Sequence, residues 1–269
     1  MTHPGTVRAN NEDAFLALNF NGHGLNYLGK VGSEPLRHAD FVFAVSDGMG
    51  GARSGEFASR IAVDRITKLL PRGFRLGAEG IQAGYYDLLT QLVDDIHHDL
   101  LRLGQCYEEC AGMGATLSLM WFTPGELFFC HVGDSRIYYL PEAASGAGTS
   151  RRPMIQLTQD HTHVGWLLRN GQITEREARQ HPRRNALGQA LGAGQQIVDP
   201  QIRAADCRIG DRFLICSDGL VDGLWDYQID AHLRSATTAD LLAPQLIEAG
   251  LAGSGRDNLT AIVIDVMPP

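Results

Sequence analysis

The sequence predicts an α+β fold in which two mostly antiparallel sheets are flanked by helices. Two observations carry this prediction. Strand-like apolar runs cluster near the start, in the middle and at the end of the 269-residue chain, and helical patterns lie between the clusters. The middle strands are joined by connections of a few residues, which are too short for the crossovers that parallel strands require.

The first part of the chain is expected to contain a short strand, a long loop and a central strand. A polar opening leads into an apolar strand over residues 14–18. Residues 19–39 are rich in Gly and Asn and lack periodicity, so they predict a long loop or an irregular hairpin, inserted ahead of the central strand. The apolar run Phe41–Val45 is soon followed by Asp47 and Gly48, which predicts a buried strand that carries an aspartate to a tight turn.

Two helices and a group of strands are predicted next. Residues 54–70 have a helical pattern with Phe57 on the apolar face, and residues 79–103 have a longer apolar stripe. Turn residues then separate three strand-like segments: Gly114–Trp121, Glu126–Gly133 and Arg136–Leu140. Because the turns are short, we expect these segments to form one antiparallel meander.

The last part of the chain combines an irregular segment with a regular ending. Residues 160–200 hold two short predicted helices, the second opened by a Thr174–Glu177 capping box, and this insertion is expected to act as a lid. A strand over 212–217, a helix near 238–251 and a strand over 259–266 follow. Without a repeat or a long linker, the pattern predicts a single domain over residues 1–269.

Composition narrows the classes of function. The net charge of −8 and the lack of a basic block argue against nucleic-acid binding. No apolar run approaches the roughly 20 residues of a membrane span, and the start of the chain lacks a signal pattern. The five cysteines lack zinc-ligand spacing, so they predict reduced thiols in a cytoplasmic protein.

Acidic residues recur where predicted strands end. A single Asp-Gly after a strand is more often a hairpin turn, but the pattern recurs after three apolar runs, at Asp47, Asp134 and Asp218. An unpaired buried carboxylate is costly, so this recurrence favours one shared site. The acidic residues at strand ends are Glu12, Asp13, Asp47, Asp134, Asp218 and Asp257, and Asp222 lies one turn beyond Asp218.

A cluster of carboxylates is expected to bind divalent cations. Ligand sets made only of oxygen favour Mg²⁺ or Mn²⁺, and the ions would remove the repulsion between the carboxylates. Two ions roughly 3.5–4 Å apart would produce a hydroxide at neutral pH and promote an in-line displacement at phosphorus. Arg8 suits the binding of a substrate phosphate, because guanidinium contacts two phosphate oxygens at once.

Six motifs, which occur in order within residues 6–264, resemble those of the metal-dependent type-2C (PPM) Ser/Thr protein phosphatases in their bacterial form. They are Arg8-x-x-x-Glu12-Asp13, Val45-Ser46-Asp47-Gly48-Met49-Gly50-Gly51, Gly114-Ala115-Thr116, Gly133-Asp134-Ser135-Arg136, Ser217-Asp218-Gly219-Leu220 and Arg256-Asp257-Asn258-Leu259-Thr260. The resemblance implies a four-layer α/β-β/α sandwich with a metal centre at one end of the two sheets.

The resemblance also implies metal ligands. Asp47 would bridge two Mn²⁺ or Mg²⁺ ions. Asp218 and Asp257 would complete the first site, and Glu12 and the Gly48 carbonyl would complete the second.

Other roles follow from the same resemblance. Asp13 would orient metal-bound water, and Asp134 with Asp218 would hold a weaker third ion. Arg8 would bind the phosphate, and Asn258 would support the first metal site. Residues 160–200 correspond to the flap of the family, which tunes substrate choice.

One departure from the family pattern affects the expected mechanism. Met49 stands where related animal enzymes have a histidine often assigned as general acid, and a thioether cannot donate a proton. His161 is a candidate acid, with a structural role as the alternative. Arg183 and Arg184 could attract an acidic or phosphorylated peptide, although adjacent loop arginines are usually only solvated.

The leading hypothesis is hydrolysis of phosphoserine and phosphothreonine in proteins by metal-bound hydroxide in a centre of two or three metals. The resemblance suggests substrates of a bacterial Ser/Thr kinase, and we expect a monomer without nucleic-acid or membrane partners. A catalytically silent phosphoprotein-binding pseudophosphatase is the alternative, and a small-molecule phosphoesterase is a third possibility.

Overall fold

A computed structural model describes residues 1–21, 23–29, 32–36, 39–51, 54–78, 84–124, 126–142 and 152–268, and it leaves out the side chains of residues 72–78. The strands are β1 Thr2–His3, β2 Asp13–Asn21, β3 Gly24–Tyr27, β4 Asp40–Met49, β5 Gly114–Ala115, β6 Leu117–Phe122, β7 Leu127–Val132, β8 Arg136–Leu140, β9 Ile155–Gln156, β10 Leu191–Gly192, β11 Gln201–Ala205, β12 Arg212–Cys216 and β13 Leu259–Asp265. The helices are α1 Ser54–Ala78, α2 Tyr85–Cys106, α3 His163–Arg169, α4 Glu175–Gln180, α5 Asp218–Gly223, α6 Asp226–Leu233 and α7 Ala239–Gly253.

The strands form two sheets whose described pairings are all antiparallel. The first sheet runs β10-β5-β4-β6-β7-β11, and β2 also pairs with β4 and carries β3. The second sheet runs β1-β13-β12-β8-β9. Strand β4 lies inside the first sheet and pairs with β2 and β6 along most of its length, so its ends are held firmly.

The core is arranged in layers. Aromatic and aliphatic side chains of the two sheets, among them Phe122, Phe129 and Phe213, form the cluster between them. A second cluster joins the first sheet to α1 and α2, and a third joins the second sheet to α5, α6 and α7. This order of helices, sheet, sheet and helices confirms the predicted four-layer α/β-β/α sandwich.

The predicted three-stranded meander is wrong at its third strand. Strands β6 and β7 form a hairpin, but β8 pairs with β12 in the other sheet. A short connection excludes a parallel crossover, yet it permits a corner between two stacked sheets. Residues 133–135 form that corner, where Gly133 has a φ of 109°. Asp134 therefore lies where the two sheets join.

Other predictions for local structure are confirmed with shifts. Residues 19–39 include the hairpin of β2 and β3, and the Thr174–Glu177 capping box opens α4. The prediction that Phe57 packs in the core is wrong, because it is 46% exposed and the small residues Ala58 and Ala62 occupy the core face of α1. Residues 79–83 of the second predicted helix lie outside the described residues.

Strands β10 and β11 and helices α5 and α6 were not predicted. Each is short, and their apolar residues give too few periodic positions to be distinguished from loops. None of the described helices is long and apolar enough to cross a bilayer.

Candidate metal centre

The Asp47 end of β4 is fixed by hydrogen bonds to the neighbouring strand. The Asp47 backbone N–H donates to Thr116 Oγ1 at 3.0 Å, and the Thr116 N–H donates to the Asp47 carbonyl at 2.8 Å. The Ser46 hydroxyl donates to the Thr116 carbonyl at 2.7 Å. Thr116 lies between β5 and β6, and its hydroxyl and backbone N–H are the hydrogen-bond partners of the Asp47 backbone.

Gly48 and Gly55 allow β4, α1 and the Glu12 segment to approach closely. A Cβ on Gly48 would lie 1.9 Å from the carbonyl oxygen of Gly55, and one on Gly55 would lie 2.5 Å from Glu12 Oε2. The Gly48 N–H donates to the Glu12 carbonyl at 3.1 Å, and the Ser59 hydroxyl donates to the same carbonyl at 2.6 Å. The absence of side chains at these glycines thus brings the Glu12 carboxylate next to the end of β4.

Asp13 lies beside Asp47, because the two residues are register partners of β2 and β4. Its Oδ2 accepts hydrogen bonds from the Ser217 hydroxyl at 2.7 Å and from the Thr260 hydroxyl at 2.6 Å. Its Oδ1 is buried and accepts no hydrogen bond from any residue that the structure describes. Burial raises the pKa of Asp13 to about 6, although the two hydroxyls act in the opposite direction.

Asp47, Asp134 and Asp218 are close enough to act on one another electrostatically. Burial raises the pKa of Asp47 well above its usual value, and the charges of Asp13, Asp218 and Asp134 raise it further. The pKa of Asp218 is also raised well above its usual value, first by burial and then by the charges of Asp134 and Asp257. Asp134, at the corner between the sheets, has its pKa raised to about 7, mainly by burial.

Asp218 is the first residue of α5, and it reaches the cluster from the second sheet. Its Oδ1 is also buried, without a hydrogen-bond donor among the described residues. Buried polar atoms are normally hydrogen-bonded, so the two orphan oxygens of Asp13 and Asp218 need an explanation. A divalent cation in the cluster would supply one, since it is a partner for carboxylate oxygen and reduces the repulsion.

Asp257, Arg8 and Asn258 complete the cluster from the ends of the chain. Arg8 Nη2 donates to Asp257 Oδ2 at 2.8 Å, and the Arg8 side chain is 51% exposed. Asn258 Oδ1 accepts from the Glu12 N–H at 2.7 Å, and its amide donates to the carbonyls of Pro4 and Asn10 at 2.9 Å each. The contacts of Asn258 therefore hold the segment that carries Glu12.

All the sequence-predicted site residues thus come to one end of the sheets. Within the described parts of the chain, no three His, Cys, Asp or Glu side chains already surround a single point as ligands of one ion. Two of the acids point elsewhere: Asp13 directs one oxygen to hydroxyls, and Asp257 directs one to Arg8.

His161 lies next to the centre, but it has a structural role. Its ring Nδ1 accepts a hydrogen bond from the Gly133 N–H at 3.2 Å, and its backbone N–H donates to the Gly133 carbonyl at 2.7 Å. Burial lowers its pKa, and its ring lies 5.0 Å from that of His131. His161 therefore braces the corner that carries Asp134.

Sequence reasoning missed how residues 160–200, here called the flap segment, are attached. Arg136 is 12% exposed; its Nη2 lies 2.7 Å from Asp160 Oδ2, and its Nε also donates to that carboxylate. Arg179 donates to the backbone carbonyls of Asp222 and Leu224, and its guanidinium lies 4.3 Å from the Trp225 ring centroid. The one available signal was an arginine at the start of the apolar strand Arg136–Leu140, because a buried arginine needs a partner.

Comparisons with known proteins agree with this geometry. Residues 30–252 match the family described as Protein phosphatase 2C. The chain is 34% identical over 268 residues to the serine/threonine protein phosphatase PstP of Mycobacterium tuberculosis, covering 98% of this chain and 43% of PstP. This chain thus spans less than half of that relative.

Solved structures give the same result. Serine/threonine phosphatase Stp1 from Staphylococcus aureus superposes with a TM-score of 0.80 at 28% identity, covering 100% of this chain and 94% of Stp1. The catalytic domain of PstP, in complex with two manganese ions, gives a TM-score of 0.71 at 31% identity and covers 100% of this chain and 96% of that one. The family match over most of the sequence, with 34% identity to PstP across 98% of it, establishes that this chain belongs to the protein phosphatase 2C family.

Proposed function

We propose that this protein hydrolyses phosphoserine and phosphothreonine in proteins with the help of Mn²⁺ or Mg²⁺. The observation that carries the proposal is the convergence of Asp13, Asp47 and Asp218, with two carboxylate oxygens that are buried and lack a donor among the described residues. The substrates would be phosphoproteins, such as those made by a Ser/Thr kinase of a bacterium. The relatives named as serine/threonine phosphatases support this substrate class.

The donor chemistry and the two orphan carboxylate oxygens suit the proposed cations, although no three of the described acidic side chains are arranged around one point. Asp47, Asp218 and Asp257 would hold one ion, and Asp47, Glu12 and the Gly48 carbonyl a second, with Asp134 and Asp218 available for a third. When bound, the cations would supply Lewis acidity that activates water and stabilises charge on the phosphate. Every donor is a carboxylate or carbonyl oxygen, which favours hard cations over zinc.

The protein's own groups would orient the reactants. Arg8 is exposed beside Asp257, so its guanidinium can bind two oxygens of a substrate phosphate at the edge of the centre. Asp13, held by the Ser217 and Thr260 hydroxyls, presents its free oxygen to accept a hydrogen bond from the attacking water. His161 is poorly suited to act as the acid, because its Nδ1 accepts the Gly133 N–H and burial lowers its pKa.

The direct test is phosphopeptide hydrolysis with and without Mn²⁺, with release of phosphate as the readout. We expect Asp47→Asn and Asp218→Asn to lower turnover by at least about a thousandfold, because each removes a charge that holds the cations. Asp64→Asn is the matched control, since Asp64 is exposed and, among the described residues, forms an ion pair only with Lys68, four positions away. Full activity in Asp218→Asn would contradict the proposal, and binding of phosphopeptide without turnover under any divalent metal would favour a pseudophosphatase.

A further inference from the structure

The flap segment contributes an arginine to the outer edge of the acidic centre. Arg184 Nη2 lies 3.7 Å from Asp222 Oδ2, and the two side chains are 38% and 34% exposed. Asp222 is in α5, one turn after Asp218. Arg179, also in the flap segment, donates to the Asp222 carbonyl at 3.3 Å, so the flap contacts both the backbone and the carboxylate of this residue.

The negative charge of Asp222 affects Asp134 and Asp218, the two acids that would hold the third and outermost cation. Burial is the main reason that the pKa values of Asp134 and Asp218 are raised, and the charge of Asp222 adds to both shifts. Asp222 follows Asp218 by four residues in α5, so the two side chains lie on the same face of the helix. Asp218 also has the buried oxygen without a donor among the described residues, which points independently to a ligand at this place.

The Arg184 charge opposes a cation there. A positive guanidinium beside Asp222 reduces the attraction that this carboxylate would exert on a divalent ion held by Asp134 and Asp218. The effect is moderate, because the pair is partly exposed and water screens it. The neighbouring Arg183 is exposed and forms no ion pair with any residue that the structure describes.

We propose that Arg184 is an internal counter-ion through which the flap segment lowers the affinity of the Asp134–Asp218 pair for its divalent cation. The inference rests on the proposed function, because it concerns the same centre. It makes the flap a determinant of cation loading as well as a candidate substrate-recognition element. Residues far apart in sequence, in the flap and in α5, would then share control of the outermost ion.

The test is calorimetric titration of the full chain with Mn²⁺, which measures the number of ions and their affinities without requiring turnover. We expect Arg184→Gln to tighten the weakest Mn²⁺ site by about fivefold at low salt, with a smaller difference at high salt. Arg184→Lys keeps the charge and should stay close to the unmodified protein. Arg183→Gln removes the same charge from the adjacent position, and it should change the affinity by less than about twofold.

A second variant protects the test against a folding defect. Asp222→Asn removes the same ion pair with the opposite change in charge, so it should weaken the site, whereas a general folding defect would weaken the site in both variants. If Arg184→Gln behaves like Arg183→Gln, the role of Arg184 is wrong while the metal centre stands. If the unmodified protein binds no Mn²⁺, the proposed function and this inference both fail.

Discussion

The two ends of strand β4 each carry an acidic residue, and the side chains that surround these two residues differ. Asp40, at the start of the strand, is 3% exposed, and its Oδ2 accepts from the Trp121 indole N–H at 2.8 Å. Burial raises its pKa to about 6, and no other acid contributes to that shift. Asp47, at the other end, is surrounded by acids whose charges add to the effect of burial. Burial alone explains Asp40, whereas the accumulation of like charge at Asp47 indicates a cation site.

The largest expected effect comes from crowding the Asp47 end. Gly48→Ala would place a methyl group 1.9 Å from the Gly55 carbonyl oxygen, so β4 and α1 would have to separate. We expect a loss of about 3 kcal/mol or more in the free energy of unfolding, measured by urea denaturation. The matched control is Gly24→Ala in β3, near the Asp40 end, where a new Cβ meets nothing within 4 Å. Equal stability of the two variants would contradict this account of the close approach.

The second prediction compares the two aspartates directly. Mn²⁺ at about 100 times its dissociation constant should stabilise the unmodified protein by roughly 2.7 kcal/mol, because the folded state alone forms the site. Asp47→Asn should lose most of this stabilisation, and Asp40→Asn should keep it. Thermal unfolding with and without Mn²⁺ measures both. If Asp40→Asn also abolished the response, the distinction between the two ends would be wrong.

The third prediction concerns pH at the Asp40 end. A carboxyl with a folded-state pKa of about 6 binds its proton more tightly folded than unfolded. Its contribution to stability is therefore complete below pH of about 4 and is lost as pH rises through 6. Asp40→Asn keeps an acceptor for Trp121 and removes the buried charge, so it should gain about 1–2 kcal/mol over the unmodified protein at pH 8 and little at pH 4.

Denaturation curves at several pH values between 4 and 8 provide the measurement for Asp40→Asn. Asp64→Asn is the control, because the Asp64 side chain is 54% exposed. An advantage of Asp40→Asn that stayed constant across this range would show that Asp40 does not titrate as described.

The smallest expected effect concerns the hydroxyls that hold Asp13. Thr260→Val removes one of the two side-chain donors to Asp13 Oδ2, together with the contact of the same hydroxyl with Thr2 Oγ1 at 2.8 Å, and keeps the shape of the residue. We expect a cost of about 1 kcal/mol in the free energy of unfolding at pH 8, where the carboxylate is charged. Thr67→Val removes an exposed hydroxyl whose one partner within the described part of the chain is the Asp64 carbonyl, and it should cost less. A similar loss in both variants would mean that the buried contact has no special value.

The sequence was most informative about acidic residues that stand between an apolar run and a glycine, because this pattern indicates both the chemistry and the position in the backbone. Asp47 and Asp218 follow apolar runs and precede glycines, so their place at strand ends was predictable. The path of β8 was not predictable, because a short turn serves a hairpin and a corner between sheets equally well. The flap contacts were also missed, since pairs such as Arg184 and Asp222 depend on tertiary packing that no local pattern encodes.

The corner at residues 133–135 has a consequence for attempts to divide the molecule. Asp13 and Asp47 belong to one sheet, Asp218 follows a strand of the other, and Asp134 lies on the short connection between them. A fragment ending before β8 would keep Asp13, Asp47 and Asp134 and lose Asp218. Splitting the chain at this joint should therefore leave neither half able to bind the full set of ions, and competence should return only when both halves reassociate.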